Sequence, residues 1–240
     1  MEAEARGLTR EQWAALDDIG GFFALRTAPP ATGAYTPLAR VYAGDHAPLA
    51  ARVSRVAERL RAPEYRVAAS VAQLGLAARL WSTTLGPAAL YGAFPDLGPG
   101  SLHWDPAGTT PDDLWWDGGD LRPATPRQLR EVVQDGHLVP LAGALRAGGP
   151  VSPRLLWGNA GSALAGAVRE LSGWARRRGR PEVAERAAAL AAGLFAHPDL
   201  AGTVQGPALR RRTCCLYYRC PGGGLCGDCV FERPPRTAAR

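Results

Sequence analysis

The sequence contains no lysine: all 28 of its basic residues are arginine, against 22 acidic residues, for a net charge of +6. Alongside so much Ala, Gly and Pro, this bias belongs to composition and by itself selects no partner. Long hydrophobic runs are missing too. No stretch approaches roughly 18 uninterrupted apolar residues, and the opening "MEAEARGLTREQWAALDD" has acidic groups where a signal peptide has an apolar segment. The expectation is a soluble, cytoplasmic protein with no stable membrane insertion. Histidine is sparse, and His46, His103, His137 and His197 show no HExxH-type spacing, which excludes that zinc-hydrolase signature. There is no GxSxG elbow, P-loop or dinucleotide fingerprint. "GGGLCG" opens no helix and reads as a turn, so neither ATP nor NAD(P)H is expected through these motifs.

What is present is mostly helical pattern. Thr9 and Gln12 fit a capping box, predicting a first helix over "REQWAALDDIGGFFALR" that stops before Pro29-Pro30. Residues 28–48 read as turns. After Pro63, the four-three spacing of Val67, Val71, Leu74, Ala78, Trp81 and Leu85 predicts a long core helix with those residues on one face. Residues 88–124 carry short aromatic runs between Gly and Pro turns and read as short strands or hairpins. Helical pattern returns in "PRQLREVVQ" and over 138–147. "PRLLWGNAGSALAGAVRELSGWARRRG" follows with a small-residue stripe at Leu156, Ala160, Ala163, Ala167, Leu171 and Trp174, and the last helix is "PEVAERAAALAAGLF". The predicted class is α+β, predominantly helical. A small antiparallel strand region lies in the middle of the body (residues 1–208), and a short cysteine-rich segment follows (209–240).

All five cysteines lie in that last segment: Cys214, Cys215, Cys220, Cys226 and Cys229. In a reducing compartment, an odd number of clustered thiols points to a metal or redox site rather than a disulfide framework. Cys226-Gly-Asp-Cys229 is a CxxC pair, able to direct two thiolates to one centre. Leu216–Arg219 reads as a strand and Pro221–Gly224 as a reversal, so the fold-back brings Cys214 and Cys215 beside the CxxC pair. Side chains of neighbouring strand residues point to opposite faces, so the vicinal pair shares one centre only where the strand ends or bends. A disulfide between them is disfavoured, because consecutive Cα atoms are about 3.8 Å apart and ordinary disulfides need roughly 4.4 Å or more. Arg210, Arg211, Arg212, Arg219, Arg233, Arg236 and Arg240 crowd the same segment, which as a basic tail is either solvated or suited to nucleic acid.

The pattern CC-x10-C-x2-C in "RRRTCCLYYRCPGGGLCGDC" resembles the C-terminal signature of FhuF-type ferric-siderophore reductases, in which four cysteines hold a 2Fe-2S cluster. "VAASVAQLGLAARLWS", "SLHWDPAG" and "LLWGNAGSALAG" resemble the body of that family, so the likeness spans residues 60–231. Carried over, it implies Cys214, Cys215, Cys226 and Cys229 as cluster ligands. Cys220 has no counterpart in the pattern, yet Cys215-x4-Cys220 is also a chelating interval. The resemblance further implies one-electron reduction of a ferric siderophore of the hydroxamate type, with release of Fe(II). Other implications are an external donor such as a ferredoxin or reductase, no nucleic-acid partner, and at most transient presence at the inner face of the membrane. No catalytic residue beyond the cluster is implied.

Arg210, Arg211, Arg212 and Arg219 are candidates to raise the cluster potential or to steer an acidic donor, and the amides of Gly222–Gly224 are candidate donors to sulfur. Trp104 and the aromatic middle region are the candidate siderophore face, although packing of small strands also explains the His103-Trp104 and Trp115-Trp116 aromatics. Three other readings remain: a four-cysteine zinc knuckle in a regulatory or nucleic-acid-binding protein, a thiol redox sensor, and kinship with ATP-dependent siderophore synthetases. The chain's short length and cysteine tail argue against the last of these.

Overall fold

A computed structural model describes residues 7–235. Helix α1 (Arg10–Ile19) begins with the expected capping box: the Gln12 amide donates to Thr9 Oγ1, and the Thr9 amide to Gln12 Oε1. It ends at Ile19, well before Arg26, because Gly20 leaves the helix at φ 149°, a conformation that favours glycine. The stretch expected to be turns instead contains strand β1 (Thr36–Pro37) and helix α2 (Leu38–Tyr42), and α3 (Ala47–Leu60) follows. Leu49 and Val53, one turn apart, are the buried anchors of α3.

Helix α4 (Tyr65–Tyr91) is the centre of the molecule, with 20 of its 27 residues buried. A single buried stripe was expected, but Val71, Leu74 and Ala78 from that stripe are only partly buried, whereas Ala72, Leu76, Ala77 and Leu80 are fully covered. A helix enclosed on several sides has no polar face to mark its inner one. Even Arg79 is buried, and ties down its surroundings. It is paired with Asp113 at 2.8 Å and donates to the carbonyls of Gly21, Phe22 and Pro111.

The middle region forms the expected short antiparallel strands: β2 (Ala93–Pro95), β3 (Leu102–Trp104), β4 (Leu114–Trp116) and β5 (Leu121–Pro123). β1, β3 and β4 make one sheet, with Leu102 opposite Trp116 and Trp104 opposite Leu114, while β2 pairs with β5. Helix α5 (Pro126–Leu129), a π-helical stretch (Arg130–Leu138) and α6 (Val139–Gly148) then run on without a break. Two longer helices follow, α7 (Pro153–Arg178) and α8 (Pro181–Phe195), before the short strands β6 (Val204–Gln205) and β7 (Arg210–Arg211).

All six residues of the stripe expected on α7 are buried. Trp81 on α4 donates its indole N–H to the Ala160 carbonyl at 3.1 Å, and Gln73 donates to the Leu156 carbonyl at 3.2 Å. The central pair α4 and α7 is therefore joined by hydrogen bonds as well as packing. No helix among the described residues is long and apolar enough to cross a membrane.

Candidate cysteine site

The cysteine segment is seated on α7 by the small residues that the sequence concentrates there. A Cβ added at Gly158 would lie 1.7 Å from Thr213 Oγ1 and 3.0 Å from Thr213 Cβ; at Gly161 it would meet Thr203 Oγ1 at 2.1 Å. Only glycine leaves room for the segment to cross at these two points. Polar groups fix its register. The Ser70 hydroxyl on α4 donates to the Cys215 carbonyl at 2.8 Å, and Asn159 on α7 donates to both the carbonyl and the hydroxyl of Ser70. The Arg211 guanidinium in turn donates to Asn159 Oδ1. On the other side the Ser162 hydroxyl donates to the Asp228 carboxylate, which also lies 4.0 Å from Arg169.

β6 and β7 pair with Val204 opposite Arg211, and the chain after Cys220 folds back beside β7. There the Arg211 amide donates to the Asp228 carbonyl at 3.2 Å, and the Arg210 guanidinium to the Cys229 carbonyl at 2.6 Å. The fold-back expected from sequence is present, but it is not a hairpin. Leu216 takes a left-handed conformation (φ 68°), and Tyr217–Arg219 form a 3-10 turn where a strand was expected. Two tyrosines signal a strand by propensity, and this local turn overrides that preference. The strand β7 has already ended at Arg211 and the chain bends at residues 212–213, so the vicinal pair is not held to the opposite faces of a regular strand. Gly222 (φ 73°) makes the reversal, and a Cβ on Gly223 would sit 2.2 Å from the Tyr217 carbonyl oxygen.

Cys215 links to Cys214 and to Cys226, and Cys220 stands apart. Cys215 and Cys226 have their sulfurs 3.8 Å apart, linking the two halves of the segment. The Cys214 thiol is lowered, chiefly by its hydrogen bond with Cys215, and the charge of Cys229 acts on it in the opposite sense. Cys226 is pushed up, first by its hydrogen bond with Cys215 and then by burial. Cys220 is buried, its thiol raised by burial alone, with no other cysteine acting on it.

The donors to sulfur are backbone amides two residues downstream. Leu216 N–H reaches Cys214 Sγ at 3.3 Å and Phe231 N–H reaches Cys229 Sγ at 3.4 Å, while the Tyr217 amide acts on Cys215. Of the glycine amides expected in this role, that of Gly223 donates to the Cys220 carbonyl at 2.8 Å instead. Nothing in the residue pattern marks Leu216 and Phe231 as donors, because it is the turns that aim their amides.

The arginines also separate. Arg210 and Arg212 are exposed, Arg212 having its guanidinium beside Gly202, and Arg219 is paired with Glu64 at 2.7 Å. Arg233 is exposed; Arg236 and Arg240 lie outside the described residues. Arg211 alone is fully buried, and its charge acts on Cys214, Cys215 and Cys226. Its Nη1 has no hydrogen-bond partner, nor has the buried Thr213 Oγ1. A buried guanidinium with an unpartnered N–H, three residues before Cys214, fits an anionic sulfur centre, and thiols receiving amide N–H bonds suit iron–sulfur ligation. Among the described residues no three of the thiols, with or without His, Asp or Glu, are grouped closely enough to hold a metal ion as they stand.

The remaining candidates are occupied elsewhere. Trp104, expected at a ligand face, is 2% exposed and belongs to the core, on the inward side of β3. His103 bonds Asp117 at 3.0 Å and lies against Trp115, His197 bonds Gln134, His46 precedes α3, and His137 is buried between Tyr42 and the Leu97 carbonyl.

Two family models match adjoining parts of the chain. "Ferric iron reductase FhuF-like transporter" covers residues 106–216 and "FhuF 2Fe-2S C-terminal domain" covers residues 211–231. A curated relative, the "Ferric siderophore reductase" of Escherichia coli (strain K12), is 29% identical over 120 residues, 46% of this chain. The match spans 43% of that relative's length. Two consecutive models thus match residues 106–231, with the cysteine segment inside the second, and over that part the chain is similar to the FhuF-like ferric iron reductases and their 2Fe-2S C-terminal domain.

Proposed function

We propose that the protein is a cytoplasmic ferric-siderophore reductase and that Cys214, Cys215, Cys226 and Cys229 hold its cluster. When bound, a 2Fe-2S cluster supplies one-electron transfer. The observation that carries the ligand set is the 3.8 Å approach of the Cys215 and Cys226 sulfurs, which joins the vicinal pair to the CxxC pair, with amide donors on Cys214 and Cys229, while Cys220 stands apart. On this reading residues 209–240 are the cluster-binding unit and residues 1–208 the body on which it is mounted.

The chemistry asks little more of the side chains. Ferric iron is held by the hard oxygen donors of a hydroxamate siderophore, and ferrous iron, with lower charge and a low place in the divalent affinity order, is held weakly by the same ligands. One electron from an external donor, a ferredoxin or a reductase, converts Fe(III) to Fe(II), and the donor is oxidised by one electron. The chain's own residues fix the thiols, hold the segment in place and present it to the partners. Ser70, Asn159 and Ser162 do the fixing, through the Cys215 carbonyl and the Asp228 carboxylate.

For the ferric complex we assign the cleft of about 680 Å³ that borders the segment at Leu216, next to Cys215, in place of the buried Trp104. Its lining includes the apolar Val151 and Leu155, Tyr65, and the charged Glu64, Arg66 and Arg146. A space of this size with apolar lining and a few polar groups suits a small-molecule chelate.

Iron, zinc and acid-labile sulfide analysis of anaerobically purified protein tests the cluster. About two irons and two sulfides per chain are expected, with red-brown colour. Colourless protein with one zinc and no sulfide overturns the proposal.

A further inference from the structure

Arg211 is an expensive residue to bury. Its side chain is fully enclosed, and none of the described carboxylates forms an ion pair with it. It is fixed by two neutral acceptors, the Thr213 carbonyl through Nε and Asn159 Oδ1 through Nη2, and Nη1 is left without a partner. The other buried arginine among the described residues, Arg79, shows the ordinary solution: Asp113 at 2.8 Å and carbonyls for the remaining N–H groups. An enclosed charge without a counter-charge is costly, and a buried donor without an acceptor adds to that cost. The compensating anion for Arg211 must therefore come from outside the carboxylates, and its own bonds to the carbonyls of Thr213 and Asp228 set it between the residues that lead into Cys214 and Cys229.

We infer that Arg211 is the counter-cation of the cysteine site: a positioning and tuning residue, bonded to the carbonyls of Thr213 just before Cys214 and of Asp228 just before Cys229, whose fixed charge stabilises the reduced form of the sulfur centre over its oxidised form. If the four cysteines hold the cluster as proposed above, one-electron reduction adds a negative charge beside a guanidinium that cannot be deprotonated, and burial keeps that attraction from being screened. The geometry also explains the relay behind it. Arg211 is held by Asn159, Asn159 holds Ser70, and Ser70 holds the Cys215 carbonyl, so cation and ligand backbone share one rigid mount on α4 and α7. Arg212, one residue on and exposed, has no such part, which narrows to one residue a role that the sequence alone spreads over four.

The test compares Arg211→Gln, Arg211→Lys and Arg212→Gln with the unsubstituted protein by redox titration of the cluster-loaded proteins, followed by absorbance and by electron paramagnetic resonance. For Arg211→Gln the reduced-to-oxidised ratio at a fixed ambient potential should fall about a hundredfold, a midpoint lower by about 120 mV at roughly 59 mV per tenfold for one electron. Arg211→Lys, which keeps the charge, should recover most of that shift, and Arg212→Gln should leave the midpoint in place. An Arg211→Gln protein with an intact cluster spectrum and an unchanged midpoint would overturn the inference.

A second readout covers variants that load poorly. In cluster-free protein Arg211→Met should be at least as stable as the unsubstituted chain, since an uncompensated buried charge is removed, whereas in loaded protein it should be less stable. Equal destabilisation with and without the cluster means a purely structural residue and also overturns the inference. An unsubstituted protein that binds no iron or sulfide refutes the cluster proposal instead, so the two failures are told apart.

Discussion

Gly158→Ala gives a test in which helix propensity and docking of the cysteine segment call for opposite signs. In an open helix interior the change stabilises by about 1 kcal/mol, because alanine has less backbone freedom to lose. Here the new Cβ falls 1.7 Å from Thr213 Oγ1, 3.0 Å from Thr213 Cβ and 3.3 Å from Thr213 Cγ2. Rotating the threonine side chain moves the hydroxyl away but leaves its Cβ in contact, so the segment itself must shift off α7. Overpacking of this kind costs about 1–3 kcal/mol. The displacement also strains the Ser70 bond to the Cys215 carbonyl and the Arg211 bond to Asn159, each worth on the order of 1 kcal/mol.

The net expectation is a loss of roughly 1–2 kcal/mol, concentrated in the segment rather than in the helices. Hydrogen exchange should accelerate at residues 211–216 and cluster retention should fall, while far-ultraviolet circular dichroism stays constant. Because the clash is with one side chain, Thr213→Ala should restore much of the loss in the double variant, giving a coupling energy of about 1 kcal/mol in the cycle. A Gly158→Ala protein that melts higher than the unsubstituted one and keeps its cluster would refute the seating of the segment on this glycine.

Serine replacement of each cysteine should abolish the cluster at positions 214, 215, 226 and 229 and leave it intact at Cys220, as read by iron and sulfide content. Burial between Tyr42 and Leu97 depresses His137 from its ordinary value to about 4. Between pH 6.5 and 4 the unfolded chain binds a proton there and the folded chain does not, so stability falls as pH falls through this window. The loss should be roughly 2 kcal/mol between about pH 7 and 5 in denaturant titrations, and His137→Gln should flatten the slope. Arg146→Glu in the cleft lining should raise KM for the ferric siderophore severalfold without altering the cluster spectrum or midpoint.

The parts of the fold legible in the sequence are those with one-sided patterns or explicit caps. Thr9 and Gln12 mark the start of α1, and the stripe from Leu156 to Trp174 marks the buried face of α7. The buried face of α4 is not legible in the same way, because a helix enclosed on several sides carries no contrast between faces. Helix α3 does carry a pattern, Leu49, Val53, Val56 and Leu60 at four-three-four spacing, and Pro48 sits in its first turn, but it has no side-chain cap and follows a turn-rich stretch. In the cysteine segment, residue types and spacing carry the fold-back, the reversal at Gly222 and the family likeness. What they do not encode is direction. That Arg211 points inward and Arg212 outward, or that the amides of Leu216 and Phe231 meet sulfur, depends on the ladder with β6 and on the left-handed turn at Leu216.

The activity itself is tested most directly by mixing dithionite-reduced, desalted protein with a ferric hydroxamate siderophore under anaerobic conditions, with a ferrous-specific chelator present. One Fe(II) captured per reduced cluster, in step with bleaching back to the oxidised spectrum, is the outcome expected of a one-electron ferric-siderophore reductase. A cluster that stays reduced while no Fe(II) appears would show that this protein does not pass its electron to siderophore iron.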